Sequence, residues 1–190
     1  MNDFRNSRDS SDSRPRPAYR DRRSQPGRPR TAPKKNLFVN KSPEGSEQWL
    51  TPWVELKYFT YNPAVFPRML GSVSGEIAPG SLVHVYDKNG ELFGAGFWNE
   101  ASRTPLRVVY HGKDAFTERD LDAALERAVK LRREILCLDE TTNAYRVLHG
   151  DSDGLGGLVV DRYADVLSLE VSTLAVWQRL DPVSYTHLTL

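Results

Sequence analysis

The sequence predicts an α+β protein: a small β-barrel, then the start of a β-rich α+β domain, behind a disordered basic tail. Three observations predict it. Short strand patterns crowd together from Trp53 to Tyr110. One amphipathic helical stripe follows, from Leu121 to Ile135. Ala144 to Leu167 then reads as strand, tight Gly-Asp turn, strand, turn, strand.

Residues 1–36 hold eleven Lys/Arg and four Asp/Glu, with Phe4 and Tyr19 as their only aromatics. Such a segment cannot bury enough apolar surface to offset about 1–2 kcal/mol of backbone entropy per residue. Residues 1–50 are therefore expected to be a disordered tail and linker, with Ser42-Pro-Glu-Gly-Ser leading into the first strand. The tail fits two uses, an electrostatic arm for RNA phosphates or a solubilising segment with no defined partner. The other 154 residues carry fifteen Lys/Arg against twenty-one Asp/Glu, so a basic arm precedes an acidic body. The single cysteine, Cys137, excludes an internal disulfide and a Cys-based metal cage, and suits a reducing, cytoplasmic setting. The N-terminus lacks the apolar core of a signal peptide, and no run of about 18 apolar residues predicts a membrane span.

The elements follow in order. Trp53-Val-Glu-Leu-Lys-Tyr-Phe alternates as a half-buried strand. Pro79-Gly80 marks a turn before the strand Ser81 to Tyr86. Asp87-Lys-Asn-Gly is a hairpin turn, with Asn89-Gly90 signalling type I′, and Glu91 to Trp98 is the return strand. Gly94 and Gly96 inside it predict a bulge or a barrel corner. Thr104 to Tyr110 completes a closed or nearly closed barrel. Leu121, Ala124, Leu125, Ala128, Leu131 and Ile135 then form one apolar stripe, capped by Thr117 with Asp120 and ending near Cys137-Leu138. Ser172 to Leu180 reads as the first turns of another helix.

Asp151-Ser-Asp-Gly-Leu-Gly-Gly fits neither a calcium loop nor a phosphate-cradling loop. A calcium loop would need ligands where Leu155 and Arg162 stand. A phosphate loop would need a helix where Leu158-Val-Val-Asp-Arg predicts a strand. The expectation is a Gly-rich turn between strands, with no metal. His84 and His149 lack partners at ligand spacing, and Cys137 lacks a base, so all three read as structural. The barrel segment carries Lys57, Arg68, Arg103 and Arg107 among Tyr58, Tyr61, Phe66 and Trp98. That mixture suits RNA, charges on phosphates and rings on bases. It equally suits a core of aromatics under a solvated charged face.

Asn62-Pro-Ala-Val-Phe and the stretch from Gly75 to Asn99 resemble the PUA domain that opens the bacterial class I SAM-dependent methyltransferases making 5-methylcytosine in large-subunit (23S) rRNA. Ala144 to Leu167 resembles a signature of that family's central domain. Asn62 and Ala64 depart from its usual His-Pro-Trp-Val-Phe, and Gly156 stands where Pro is common. The resemblance implies a PUA-like RNA-binding barrel at 51–112 and an incomplete central α+β domain at 113–180. Large-subunit rRNA would be the partner, and S-adenosyl-L-methionine the cofactor of the full-length parent. The family's SAM site and catalytic cysteine belong to a C-terminal Rossmann-like domain, and neither a Gly-rich strand-to-helix turn nor an Asp-Pro-Pro loop occurs here. No residue of this chain inherits a catalytic or cofactor-binding role. Asp181-Pro182 breaks the starting helix, and residues 181–190 resemble read-through into library adapter sequence rather than the family, a non-native tail on an N-terminal fragment. The rival reading is a complete non-catalytic PUA-type RNA-binding or ribosome-associated module.

Overall fold

The computed structural model describes Phe38 and residues 42–180. The expectations for the tail at 1–36 and for 181–190 fall outside the described residues.

The first sheet has six strands: β1 (Trp53–Leu56), β2 (Ala64–Val65), β3 (Leu70–Val73), β4 (Leu82–Tyr86), β5 (Leu92–Trp98) and β6 (Leu106–His111). Their order is β2-β6-β5-β4-β1-β3, antiparallel except for the β1–β4 pair. The edge strands β2 and β3 are not paired to each other. Yet Val65 of one and Leu70 and Val73 of the other belong to a single buried cluster with Val54, Leu56, Val83, Val85, Trp98, Leu106 and Val108. The sheet therefore curls into the nearly closed barrel that was expected.

A helix and a second sheet follow. Helix α1 (Glu118–Lys130) precedes a short α2 (Leu138–Thr141), and the sheet orders β7 (Ala144–His149), β8 (Leu158–Tyr163) and β9 (Val166–Val171) antiparallel. A short helix α3 (Leu174–Trp177) closes the described chain. Leu121, Ala124, Leu125 and Ala128 of α1 pack with Val147, Leu148, Leu158, Val160 and Val176, and also with Ala95 and Phe97 of β5. The two sheets thus share β5. Ala95 and Phe97 face the helix and Trp98 the barrel, with the two-residue period of a strand, while Phe93 packs toward the barrel where the β4–β5 register shifts between Val85 and Tyr86.

The glycines of β5 make this possible. A Cβ on Gly94 would collide with the Tyr110 carbonyl oxygen, and one on Gly96 would lie 2.5 Å from the Arg107 carbonyl oxygen. The β5–β6 register shifts between Ala95 and Gly96, the bulge anticipated at these residues.

Two local expectations change. The 87–91 hairpin is not type I′, because Gly90 has φ +80° but Asn89 does not have a positive φ. Instead Asp87 Oδ1 accepts from Asn89 N and Glu91 N, both at 2.9 Å, and Gly90 N donates to the Asp87 carbonyl at 3.1 Å. The aspartate side chain holds a three-residue loop that ends on a left-handed glycine. The helical stripe also ends earlier than expected. Leu131–Ile135 forms a π turn, with Leu136 N donating to the Leu131 carbonyl at 2.9 Å, and Leu131 and Ile135 are exposed. The wider turn breaks the 3.6-residue period, and the stripe rotates away from the core. Thr117 N donates to the Asp120 carboxylate at 2.8 Å, the predicted cap.

The segment read as a linker packs where it is described. Trp49 stacks on Tyr86 with ring centroids 4.2 Å apart, Leu50 N donates to the Tyr86 hydroxyl at 2.9 Å, and Phe38 is buried against Trp98. The large rings supply buried area that a Ser-Pro-Glu-Gly linker lacks.

Replacing Gly94 with Val should lower the unfolding free energy by roughly 3 kcal/mol, by forcing β6 off β5. Urea unfolding checks this, and a stability equal to wild type would contradict the close approach of the two strands.

Candidate nucleic-acid interface

The structure groups two of the four predicted basic residues and separates the others. Lys57 follows β1 and its N donates to the Met69 carbonyl at 2.8 Å, which sets it beside Arg68 in the 3-10 turn Pro67–Met69. Both side chains are exposed, and neither forms an ion pair among the described residues. Arg103 is exposed on the β5–β6 loop, at the opposite end of that hairpin from His111. Arg107 on β6 is committed elsewhere. Its Nε donates to Asp151 Oδ1 at 3.0 Å and its Nη2 to Asp151 Oδ2 at 2.6 Å. Gly156 makes room for this fork, since a Cβ there would lie 2.6 Å from Arg107 Nε.

The predicted aromatics divide in the same way. Trp98 is buried in the barrel core and Phe66 is half-buried. Tyr58 and Tyr61 are 63% and 69% exposed. The sequence pattern did not single out three rings beside them. Phe59, itself 63% exposed, meets Tyr61 edge-on at 4.7 Å and Phe93 at 5.1 Å, and His111 lies 5.3 Å from Tyr61 and 5.0 Å from Phe93. The run Tyr58-Phe59-Thr60-Tyr61 just past a strand end was the available signal. Phe93 and His111 join it only through the β5–β6 pairing.

The second sheet is laced by arginine–aspartate pairs that no short-range pattern announced. Arg132 grips Asp153 through two hydrogen bonds of 2.8 and 2.9 Å, and the side chains are only 13% and 11% exposed. Asp153 also accepts from His149 N at 2.6 Å. Burial pushes the Asp153 carboxyl up, but the hydrogen bonds from Arg132 and His149 N, with the charges behind them, hold it below the ordinary carboxylate range. Arg146 forks onto Asp161, and Arg162 and Arg133 share Asp139 with the Tyr145 hydroxyl. Asp151 and Asp153, the two acids of the rejected calcium loop, are thus both arginine partners. Among the described residues no cluster of three or more metal-binding side chains occurs. Cys137 ends the helical segment at φ +48°, its thiol donating to the Glu134 carbonyl at 3.3 Å. His84 Nδ1 is buried without a partner, and burial lowers the pKa of His84, against a backbone hydrogen bond with Pro52, and that of His111.

Residues 50–110, which hold the curled six-stranded sheet with its parallel β1–β4 pair, match the model of the PUA-like domain family. A ribosomal RNA large subunit methyltransferase of Deinococcus radiodurans is 36% identical over 155 residues, covering 79% of this chain and 35% of the relative. A ribosomal RNA large subunit methyltransferase I of Shewanella amazonensis is 32% identical over 118 residues, covering 62% of this chain and 30% of the relative. A Streptococcus mutans structure described as a SAM-dependent methyltransferase shares the fold, with a TM-score of 0.51 at 16% identity over 69% of this chain and 36% of that one. A methyltransferase structure complexed with SAH also has a TM-score of 0.51, at 16% identity over 70% of this chain and 35% of that one. The chain is similar to large-subunit ribosomal RNA methyltransferases and carries a PUA-like domain at residues 50–110, and it spans about a third of the length of the curated relatives it matches.

Asp153→Ala would leave the Arg132 guanidinium half-caged without its counter-charge, and should cost about 3 kcal/mol or more of stability. Lys113→Ala, at an exposed pair with Glu91, should leave the unfolding midpoint unchanged. Chemical denaturation of the two variants distinguishes the cases. Stability should also fall in two steps on acidification. His84 and His111 have folded pKa values below their ordinary value, so the unfolded chain takes up the proton first and stability declines below about pH 6.5. Asp153, Asp139 and Asp161 have lowered folded values, so their contribution is complete above about pH 4 and is lost as pH falls through those values. Thermal midpoints at about pH 8, 5.5 and 3 test the sequence of losses.

Proposed function

We propose that this chain is the N-terminal part of a SAM-dependent 23S rRNA cytosine-C5 methyltransferase and that its own contribution is RNA binding. The observation that carries this reading is the similarity to the Deinococcus radiodurans relative, which extends over 155 residues and 79% of this chain. The barrel at 51–112 is the RNA-binding module and 113–180 begins the central domain. Lys57 and Arg68 bind phosphates together and Arg103 does so from the far end of the β5–β6 hairpin. Arg107, anchored by Asp151, offers a further cationic edge between them. In the parent, S-adenosyl-L-methionine and the residues that move the methyl group belong to sequence beyond residue 180, and the enzyme works in the cytoplasm. The basic tail is an electrostatic arm, since its eleven Lys/Arg against four Asp/Glu favour phosphates.

The test uses the 190-residue chain and a structured fragment of large-subunit rRNA. Binding should weaken steeply with salt. Deleting residues 1–36 should flatten that dependence, and Lys57→Ala with Arg68→Ala should lower the slope further by roughly two, one for each phosphate that is no longer neutralised. Calorimetry with SAM should give no saturable signal. Saturable micromolar SAM binding would overturn the assignment of the cofactor to other sequence, and salt-independent RNA binding would overturn the electrostatic interface.

A further inference from the structure

The ring cluster beyond β1 is unusual for a barrel surface. Tyr58, Phe59 and Tyr61 stand close together in the chain and are all more than 60% exposed. Phe59 and Tyr61 form one continuous aromatic surface with Phe93 and His111, and soluble proteins seldom leave large contiguous apolar faces in water without a partner. Phe59, Tyr61, Phe93 and His111 border a shallow recess of about 380 Å³, within the usual range of small-ligand sites.

The surface is also fixed in place. Asn62 N donates to Thr60 Oγ1 at 3.0 Å, and the Asn62 side chain accepts from Ala64 N at 2.9 Å. These local turns lock the Thr60–Ala64 backbone, which β2 then pins to β6. The rings are held in position before any ligand arrives, so little ordering entropy remains to oppose binding.

Charge around the recess is asymmetric. On one side Asp87 is engaged within its own turn, and Glu91 is paired with Lys113 Nζ at 2.9 Å. Lys57, outside the recess wall, leads directly in sequence into the ring-bearing loop, Arg68 precedes its backbone partner Met69, and both are exposed. An anionic chain would run along the Lys57 and Arg68 side and present its attached rings to the recess. The polymer that joins regularly spaced anions to flat aromatic groups is nucleic acid. Only an unpaired nucleotide can offer its π face, because a base inside a duplex is already stacked on both sides.

We propose that the recess between Phe59, Tyr61, Phe93 and His111 is a stacking site for an unpaired RNA base, with Lys57 and Arg68 on the phosphates of the same strand. The proposal rests on the RNA-binding reading above. It adds a preference for single-stranded segments and a definite place on the barrel.

The experiment compares the full chain with Phe59→Ala/Tyr61→Ala, Tyr61→Leu and Tyr61→Trp variants. The probes are a short single-stranded RNA carrying one 2-aminopurine and the same sequence closed into a duplex. The wild type should bind the single strand more tightly and quench the 2-aminopurine. The double variant should bind it roughly five- to a hundredfold more weakly, without quenching, while duplex binding and the salt slope stay as in wild type. Tyr61→Leu keeps the apolar bulk and should still lose the quenching, whereas Tyr61→Trp should retain it. Thermal midpoints identify any variant that has lost its fold, and Tyr61→Leu then decides the matter. If the folded variants bind and quench as the wild type does, the recess is not a base site although the chain binds RNA. If the wild type binds neither RNA even at low salt, the RNA-binding reading itself fails and the recess falls with it.

Discussion

Strands β5 and β6 are buried on both faces, and the remainder of the described chain is arranged around that constraint. Trp98, Leu106 and Val108 look into the barrel, while Ala95, Phe97, Val109 and Tyr110 look toward α1 and the second sheet. A strand pair covered twice must fit two cores at once. It does so here by giving up side chains at Gly94 and Gly96, where the backbones come closest. The cost in chain entropy of two strand glycines is offset by the area they allow both cores to bury. The same pair then sets the functional geometry. It carries Phe93 and His111 to the end that faces the Tyr58–Tyr61 loop, and Arg107 to the face that meets Asp151.

Charge is distributed by the same logic. The body is rich in acids, yet the aspartates of the second sheet are consumed by arginines reaching in from other elements. Arg179 is the extreme case. It forks onto Glu118 of α1 at 2.8 and 2.6 Å, donates to the Gly80 carbonyl at 2.9 Å and lies 4.9 Å from the centroid of Phe97. One side chain thus joins the barrel turn, the helix and α3. A planar guanidinium with five donors is suited to this, and a lysine would reach one partner where arginine reaches three. The consequence for binding is selective. Arginines in the second sheet act as struts, and exposed cationic charge is left on the barrel at Lys57, Arg68, Lys88 and Arg103, with Arg119 and Arg127 exposed on α1.

Much of this was legible in the sequence, and the parts that were not have definite causes. Strands with turn punctuation on both sides, such as β4 and β5, could be read almost to the residue. β3 could not, because Leu70-Gly-Ser-Val is buried at all four positions and therefore shows no alternation. β2 could not, because two residues carry no period at all. The Asn-Gly signal located the hairpin correctly but gave the wrong turn, since Asp87 supplied a competing side-chain bond two and four residues ahead. The stripe on α1 held until the π turn shifted its phase. The arginine pairs spanned too many residues to be seen, forty-four between Arg107 and Asp151 and sixty-one between Glu118 and Arg179.

The site shows where sequence reasoning about interfaces reaches its limit. Counting basic and aromatic residues on one segment gave four cations and four rings of equal standing. Three-dimensional pairing divides them by burial and by partner. Trp98 is removed by the core and Arg107 is bound to an aspartate, while Tyr61 gains Phe59, Phe93 and His111 as neighbours. Composition thus points to a class of ligand, because phosphates need cations and bases need rings whatever the fold. Position decides which of those side chains can act together, and here the deciding link is backbone pairing. The Lys57–Met69 hydrogen bond ties the chain at Lys57 to the turn that carries Arg68, and the β5–β6 pairing brings Phe93 and His111 together.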